Sequence, residues 1–244
     1  MSSPPATELL TSWERGRSQA PVERGLTLLA VAVPGASADA LARVPVGQRD
    51  GELLTLHQRL FGSRLAGVGD CPSCRERLEL GFNVEEVQAP SETAPPDGFE
   101  RQVGGYQLRF RLPDSLDLLR ATAEDDAETA RRLLLERCLL AARRDGKDHD
   151  AATLPAAVID GLVEAMADVD PQADVRLALC CPACDARWEA SFDIVAFLWG
   201  ELAAWAERTL WEVHALASTY GWSEADLLAM HPERRRRYLE LVGA

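Results

Sequence analysis

The chain has 244 residues, 47% of them hydrophobic, with 26 basic and 39 acidic side chains and a net charge of −13. That length supports a proper core in one or two domains, and no stretch approaches the ~20 uninterrupted apolar residues of a membrane span. The acidic balance argues against wrapping nucleic acid, because phosphate contacts need concentrated positive charge. The apolar run LTLLAVAVPG (26–35) is short and lies behind charged residues, so no signal peptide and a cytoplasmic location are expected.

In chain order, the first third reads as helical. PVERGLTLLAVAV (21–33) opens on Pro21 and stops before Pro34 and Gly35, and Ser37 is placed to cap a short helix over 38–43. PVGQRDGELLTLHQRLFG then sets Leu53, Leu54, Leu56, Leu60 and Phe61 on a helical stripe that ends at Gly62. His57 within it is expected to pack or face solvent rather than to bind a metal. Residues 63–88 carry the segment DCPSCRERLELGF, a C-P-x-C turn leaving along a period-2 strand.

A Pro-rich linker, APSETAPPDG, is expected over 89–98, and a half-buried strand over 103–113, where Tyr106, Leu108, Phe110 and Leu112 alternate with polar residues. Asp114 or Ser115 caps a short helix. AETARRLLLERCLLAARR (127–144) reads as one amphipathic helix holding Cys138 as a buried, inert thiol, and a further helix follows the polar break DGKDHD at 155–168. The longest periodic segment, 193–220, puts Phe197, Leu198, Trp205, Leu210, Val213, Leu216 and Ala217 on its apolar face. The stretch SEAD (223–226) starts a short helix, and Pro232 opens a last one over 233–242.

Shifted by 110 residues, the first cysteine motif recurs: CPSCRERLELGFNV (71–84) aligns with CPACDARWEASFDI (181–194). Identities fall at Cys71/Cys181, Pro72/Pro182, Cys74/Cys184, Arg77/Arg187, Glu79/Glu189 and Phe82/Phe192. Each copy reads as a hairpin with the cysteines at its tip, and two such tips supply the four thiolates of a tetrahedral zinc site. A dithiol redox pair needs its first cysteine at a helix N-terminus, whereas strands follow both motifs here. The expected ligands are Cys71, Cys74, Cys181 and Cys184, with Cys180 in place of Cys181 as the open alternative. Four thiolates leave no open coordination position, so the site is expected to be structural, with one zinc per chain.

The fold expected is mainly α with a small β component, two C-P-x-C β-hairpins pairing into a zinc-ribbon-like unit surrounded by helices. Its regions are a helical 1–62, the first hairpin at 63–88, an inserted strand-plus-helix subdomain at 99–171, the second hairpin at 172–192 and a helical 193–244. No Gly-rich phosphate loop, nucleophile elbow or His-Glu metal motif is present, and the histidines at 57, 149, 214 and 231 are scattered, so no enzyme is expected.

Several segments together resemble one family: LLTSWERG, ALARVPVGQRDGELLTLHQRLFG, the two C-P-x-C strands, FDIVAFLWGEL, and the ending WEVHALASTYGWSEADLLAMHPERRRRYLELV. They are similar to the baseplate hub assembly chaperones of contractile-tailed phages and phage-tail-like contractile injection systems. The resemblance implies a cytoplasmic assembly factor whose partners are hub or spike proteins; that no nucleic acid and no membrane are expected rests on the charge and the hydropathy above. No site residues and no zinc are carried over from the family; the metal rests on the repeat. Aromatic and Arg side chains concentrate in interface hot spots, which makes Tyr220, Trp222, Arg234, Arg235, Arg237 and Tyr238 the expected partner-binding residues, against core packing as the other use of such rings. A permanent baseplate component and a zinc-ribbon nucleic-acid binder are the alternative functions.

Overall fold

The computed structural model describes residues 4–89 and 98–243, so the expected linker at 89–98 lies almost wholly outside the described residues. The chain is mainly helical with small sheets, as the sequence predicts. It divides into two compact units, one formed by Met1–Pro34 with Val195–Ala244 and the other by Gly35–Ile194.

The first unit is helical: α1 (Ala6–Gly16), α2 (Pro21–Ala32), all of α9 (Ile194–Tyr220) but its first residue, α10 (Glu224–Ala229) and α11 (Pro232–Val242). Its core draws on Leu9, Leu10 and Trp13 of α1 and on Leu28 and Leu29 of α2. From α9 it takes Leu198, Leu202, Ala206, Thr209, Val213 and Leu216. Steps of three and four residues keep that line on one helix face. Leu210, expected on this face, is 37% exposed; one position past Thr209 it is turned about 100° away from the buried line. Gly16 carries no Cβ because the Trp199 ring occupies the place where one would sit, 2.4 Å away. Arg24 stacks over that ring and donates from Nε to the Gly16 carbonyl at 3.0 Å, holding the tryptophan against α1.

The second unit begins with α3 (Ala38–Ala42), capped by the Ser37 hydroxyl, which accepts from the Ala40 N–H. In α4 (Val46–Phe61), Leu53, Leu54 and Leu56 are fully buried. Pro45 has no side chain able to cap α4, and the cap comes from far along the chain. Asp170 accepts from the Gly47 N–H at 3.0 Å, and a Cβ on Gly47 would lie 1.9 Å from its Oδ1. A buried carboxylate at a helix N-terminus satisfies an orphan donor and faces the positive end of the helix dipole. His57, expected to pack or be exposed, is buried with its ring 5.7 Å from that of Phe61.

Between the two cysteine hairpins lies a four-stranded antiparallel sheet in the order β3 (Phe99–Val103), β4 (Tyr106–Phe110), β5 (Leu139–Arg144), β6 (Lys147–Asp148). Helices α6 (Ser115–Ala121), α7 (Ala127–Cys138) and α8 (Ala156–Val169) complete it, and a short α5 (Val84–Val87) precedes it. Its core gathers Phe99, Leu108 and Phe110 from the sheet, Leu135 from α7, and Val158, Leu162 and Val169 from α8.

Two expectations are corrected in this region. The helix expected over 127–144 ends at Cys138, and LLAARR is strand β5, pairing with β4 from Gln107↔Arg143 to Phe110↔Leu139. The unpaired edge of β4 recruits this segment, and the ladder outweighs the helical propensity of Leu, Ala and Arg. The strand expected over 103–113 is the second arm of a hairpin. Gly104 and Gly105, at φ 56° and 81°, form the two-residue turn that returns β3 onto β4.

One buried ion cluster ties α6 and α7 to the end of β4. Asp117, fully buried, accepts from both terminal nitrogens of Arg111 (2.6 and 2.9 Å), from Arg137 Nε (2.6 Å) and from the Asp114 N–H (3.0 Å). Burial pushes its carboxyl up, but these donors outweigh burial and hold it at about 2, below the usual 3.8. A depressed carboxylate contributes stability that is complete above the unfolded value and lost as pH falls through the folded one. Asp117→Asn is therefore expected to cost about 3 kcal/mol at neutral pH, since Arg137 loses its counter-charge and Arg111 keeps only the longer contact with Asp114 at 3.8 Å. Chemical denaturation at stepped pH should show the wild-type advantage shrinking between pH ~4 and ~2.

Candidate metal centre

The two cysteine motifs fold alike. The first joins β1 (Arg64–Asp70) to β2 (Arg77–Asn83), paired from Arg64↔Asn83 to Asp70↔Arg77. The second joins β7 (Arg176–Cys180) to β8 (Arg187–Ser191), paired from Arg176↔Ser191 to Cys180↔Arg187. At the first tip, the Cys71 N–H donates to the Glu76 carbonyl and the Arg75 N–H to the Cys71 carbonyl, both at 2.9 Å. The second tip repeats this with Cys181, Ala186 and Asp185, again at 2.9 Å. The residue after the second cysteine takes a left-handed conformation in each copy, Arg75 at φ 62° and Asp185 at φ 56°.

Although 106 residues separate Cys74 from Cys181 in the sequence, the tips meet. The sulfurs of Cys71, Cys74, Cys181 and Cys184 all lie within 4.8 Å of one another. Across the hairpins, Cys71 Sγ is 3.7 Å from Cys184 Sγ, and Cys74 Sγ is 3.6 Å from Cys181 Sγ. These are not disulfide distances, which are ~2.05 Å. They match the ~3.8 Å edge of a tetrahedron of sulfurs around a metal with M–S bonds of ~2.3 Å.

The first cysteine of each tip is buried and the second is exposed, so a metal here would sit at the surface end of a small core. That core is Cys71, Leu78 and Cys181, with Leu80, Ala186 and Trp188 packed around them. Phe82 and Phe192, equivalent in the repeat, meet edge to face at 5.3 Å and close the other end of the hairpin pair.

The thiols are electrostatically distinct. The N–H of Cys74, with help from that of Ser73 and against the effect of burial, pulls the Cys71 thiol down to about 7. Cys74 also feels an N–H, from Glu76, that lowers it, but Cys184, burial, Cys181 and Cys71 together push it up to about 12. Four thiols this close cannot all ionise without a cation to share their charge. Donor type, spacing and backbone N–H groups aimed at sulfur all fit a metal that takes four thiolates.

The structure brings Cys71, Cys74, Cys181 and Cys184 together and leaves Cys180 out; it is exposed at the end of β7, opposite Arg187. Cys138 is buried away from the cluster, and burial raises its thiol to about 12. The paired left-handed residues were missed from sequence, though their signal lay in the equivalent positions following Cys74 and Cys184.

The expected partner-binding residues belong to the helical unit. Tyr220 and Trp222 stack at 4.5 Å, Tyr238 meets Trp222 edge-on at 4.9 Å, and Arg234 lies over the Tyr238 ring at 5.8 Å. Arg237 is exposed and paired with Glu240. Arg235 does not belong with them. It is 4% exposed, donates from Nε to Glu212 at 2.6 Å and from a terminal nitrogen to the Leu227 carbonyl, and so locks α11 onto α9 and α10.

A mainly helical chain whose two cysteine-tipped hairpins close into one four-thiol cluster defines a zinc-ribbon-like protein in architecture. Its membership is more specific. The chain belongs to the T4 bacteriophage base plate protein family, whose family model matches residues 27–199 and so includes both hairpins. No curated protein and no solved structure matches it. Among the described residues, no helix is long and apolar enough to cross a membrane.

The left-handed residues generate a test. A non-glycine residue there costs on the order of 1 kcal/mol, a cost that glycine avoids while losing part of the gain to chain entropy. Arg75→Gly should raise the stability of the metal-loaded protein by up to about 1 kcal/mol in chemical denaturation, and Asp185→Gly by less, since Asp adopts this conformation more readily.

Proposed function

We propose that this chain is a non-enzymatic assembly factor, a chaperone or adaptor, for the baseplate hub of a contractile phage tail or phage-tail-like injection system. Its two hairpins are pinned by one structural zinc at Cys71, Cys74, Cys181 and Cys184. The observation that carries the reading is the baseplate family match over 27–199, a span that holds all four cysteines. The zinc part is supported by cross-hairpin sulfur distances of 3.6 and 3.7 Å, the edge of a tetrahedral thiolate site. Four thiolates would fill the coordination of the metal and leave no position for substrate, which supports a structural role.

A factor that masks the sticky surface of unassembled subunits needs an apolar, pre-ordered surface of its own. The ring cluster of Tyr220, Trp222 and Tyr238 supports such a role, with Arg234 and Arg237 beside it and Leu241, 72% exposed, on the same helix. Rings already packed on one another lose little side-chain freedom on binding. The hub or spike proteins are the proposed partners and the cytoplasm the proposed site of action. A second reading, a permanent baseplate component, is favoured by the family's own description as a base plate protein.

Two measurements separate these readings. Mature particles purified from a producing strain are expected to lack the chain, and a stoichiometric band would replace the chaperone by a permanent component. Protein purified without chelator is expected to carry about one zinc per chain by elemental analysis. Cys71→Ser and Cys184→Ser should each abolish the metal and lower the thermal midpoint. Metal-free protein with an unchanged midpoint would remove zinc from the account.

A further inference from the structure

Helix α9 has a second face. Opposite its buried line, and again at steps of three and four residues, stand Gly200, Ala204, Glu207 with Arg208, Trp211 and Ala215. All are exposed except the half-buried Ala215. A helix side that meets only water ordinarily carries charges along its length. On this line Glu207 and Arg208 are the only two, and neither is in an ion pair among the described residues. Trp211 is 54% exposed and packs on no ring or cation among the described residues.

Gly200 is unexplained from within the molecule. Glycine inside a helix is less stable than alanine, and it is kept where another backbone must come close. Around Gly16 and Gly47 the chain's own side chains fill the place of a Cβ, whereas at Gly200 nothing lies within 4 Å of it. A glycine with open space above it, in the middle of a 27-residue helix, points to a neighbour from outside the chain.

We propose that this face docks on a second copy of the chain, the two α9 helices packing antiparallel about a two-fold axis between residues 207 and 208. In that register each of the six positions meets its complement. Trp211 of one copy lies over Ala204 of the other, Glu207 meets Arg208, and Gly200 meets Ala215. Each pair occurs twice, as a two-fold interface requires. A ring over a methyl and a hydrogen against a methyl let two helices approach closely, and the central acid and base find opposite charges that their own chain does not give them. A parallel pairing would instead set Glu207 beside Glu207 and Trp211 against Trp211. The match of the face to itself, in size and in charge, selects a second copy over a different protein. The argument uses α9 alone and does not depend on the baseplate reading.

The test is sedimentation equilibrium of the full-length protein over the micromolar range, with a reductant present so that exposed thiols do not cross-link. A reversible equilibrium between the 26.7 kDa chain and its dimer is expected. Gly200→Leu places a side chain in open space on the monomer but in the path of the other helix in the dimer. It should weaken association by about tenfold or more, with the thermal midpoint of the dilute protein unchanged or higher. Glu207→Arg and Arg208→Glu should each weaken association several-fold, and the double variant Glu207→Arg, Arg208→Glu should restore it. Adjacent residues of one helix do not face each other, so only the pair between copies can recover its opposite charges in this way. A monomer at every concentration would overturn the proposal and leave the face to a different protein. A dimer indifferent to Gly200→Leu, or charge reversals that the double variant does not rescue, would overturn it equally.

Discussion

The constraint on which the second unit depends is the meeting of four thiols from two points 106 residues apart in the chain. Each two-stranded hairpin alone is marginal in water, and the apolar cluster they share is small, with Cys71, Leu78 and Cys181 as its buried members. What the cluster lacks in buried area a shared cation can supply. By the loop-entropy argument used for disulfides, a cross-link closing a loop of about 100 residues removes roughly 4–5 kcal/mol of freedom from the unfolded chain. The four-stranded sheet and α6–α8 lie inside that loop, so a metal held by the four thiols would work as the clasp of an insertion. The Phe82–Phe192 contact at the far end keeps the two hairpins from pivoting about it.

Other long-range ties reinforce the same region. Asp170 caps α4 across 123 residues and requires a glycine at position 47. The Gln172 side chain accepts from the Ala89 N–H at 2.6 Å and donates to the Val87 carbonyl at 3.3 Å, joining the turn before the second hairpin to the end of the first. Asp117 gathers two arginines where β4, α6 and α7 converge. Each of these groups is buried and each has its partners, which is the condition under which buried polar groups confine a fold instead of weakening it.

Much of this was readable from the residues alone. The helices at 21–33, 45–62, 155–168 and 193–220 carry clear periodicity and end signals, and the cysteine repeat exposes both hairpins without help from any homologue. Two features escaped for physical reasons. LLAARR has strong helical propensity and becomes β5 only because β4 offers an unpaired edge, a fact of tertiary structure. Arg235 looks like its exposed neighbours in a run of four arginines, and only the placement of Glu212 and the Leu227 carbonyl shows that it is buried. The Gly104–Gly105 turn differs from these two, since a pair of glycines ahead of an alternating strand is a hairpin signal that local sequence does carry.

The separation of the two cysteine pairs also acts in time. A ribosome extends a chain at about 5–20 residues per second, so roughly 5–20 seconds pass between synthesis of Cys74 and of Cys181. Through that interval the first hairpin exists with half of the cluster's thiols and none of its partner, and for most of it α4 has no cap, because Asp170 has not been made either. The early half of the second unit is thus unable to complete itself, and it becomes committed only when the last part of the insertion leaves the ribosome. A chain interrupted between Cys74 and Cys181 carries an open pair of the cluster thiols rather than a shorter version of the finished fold.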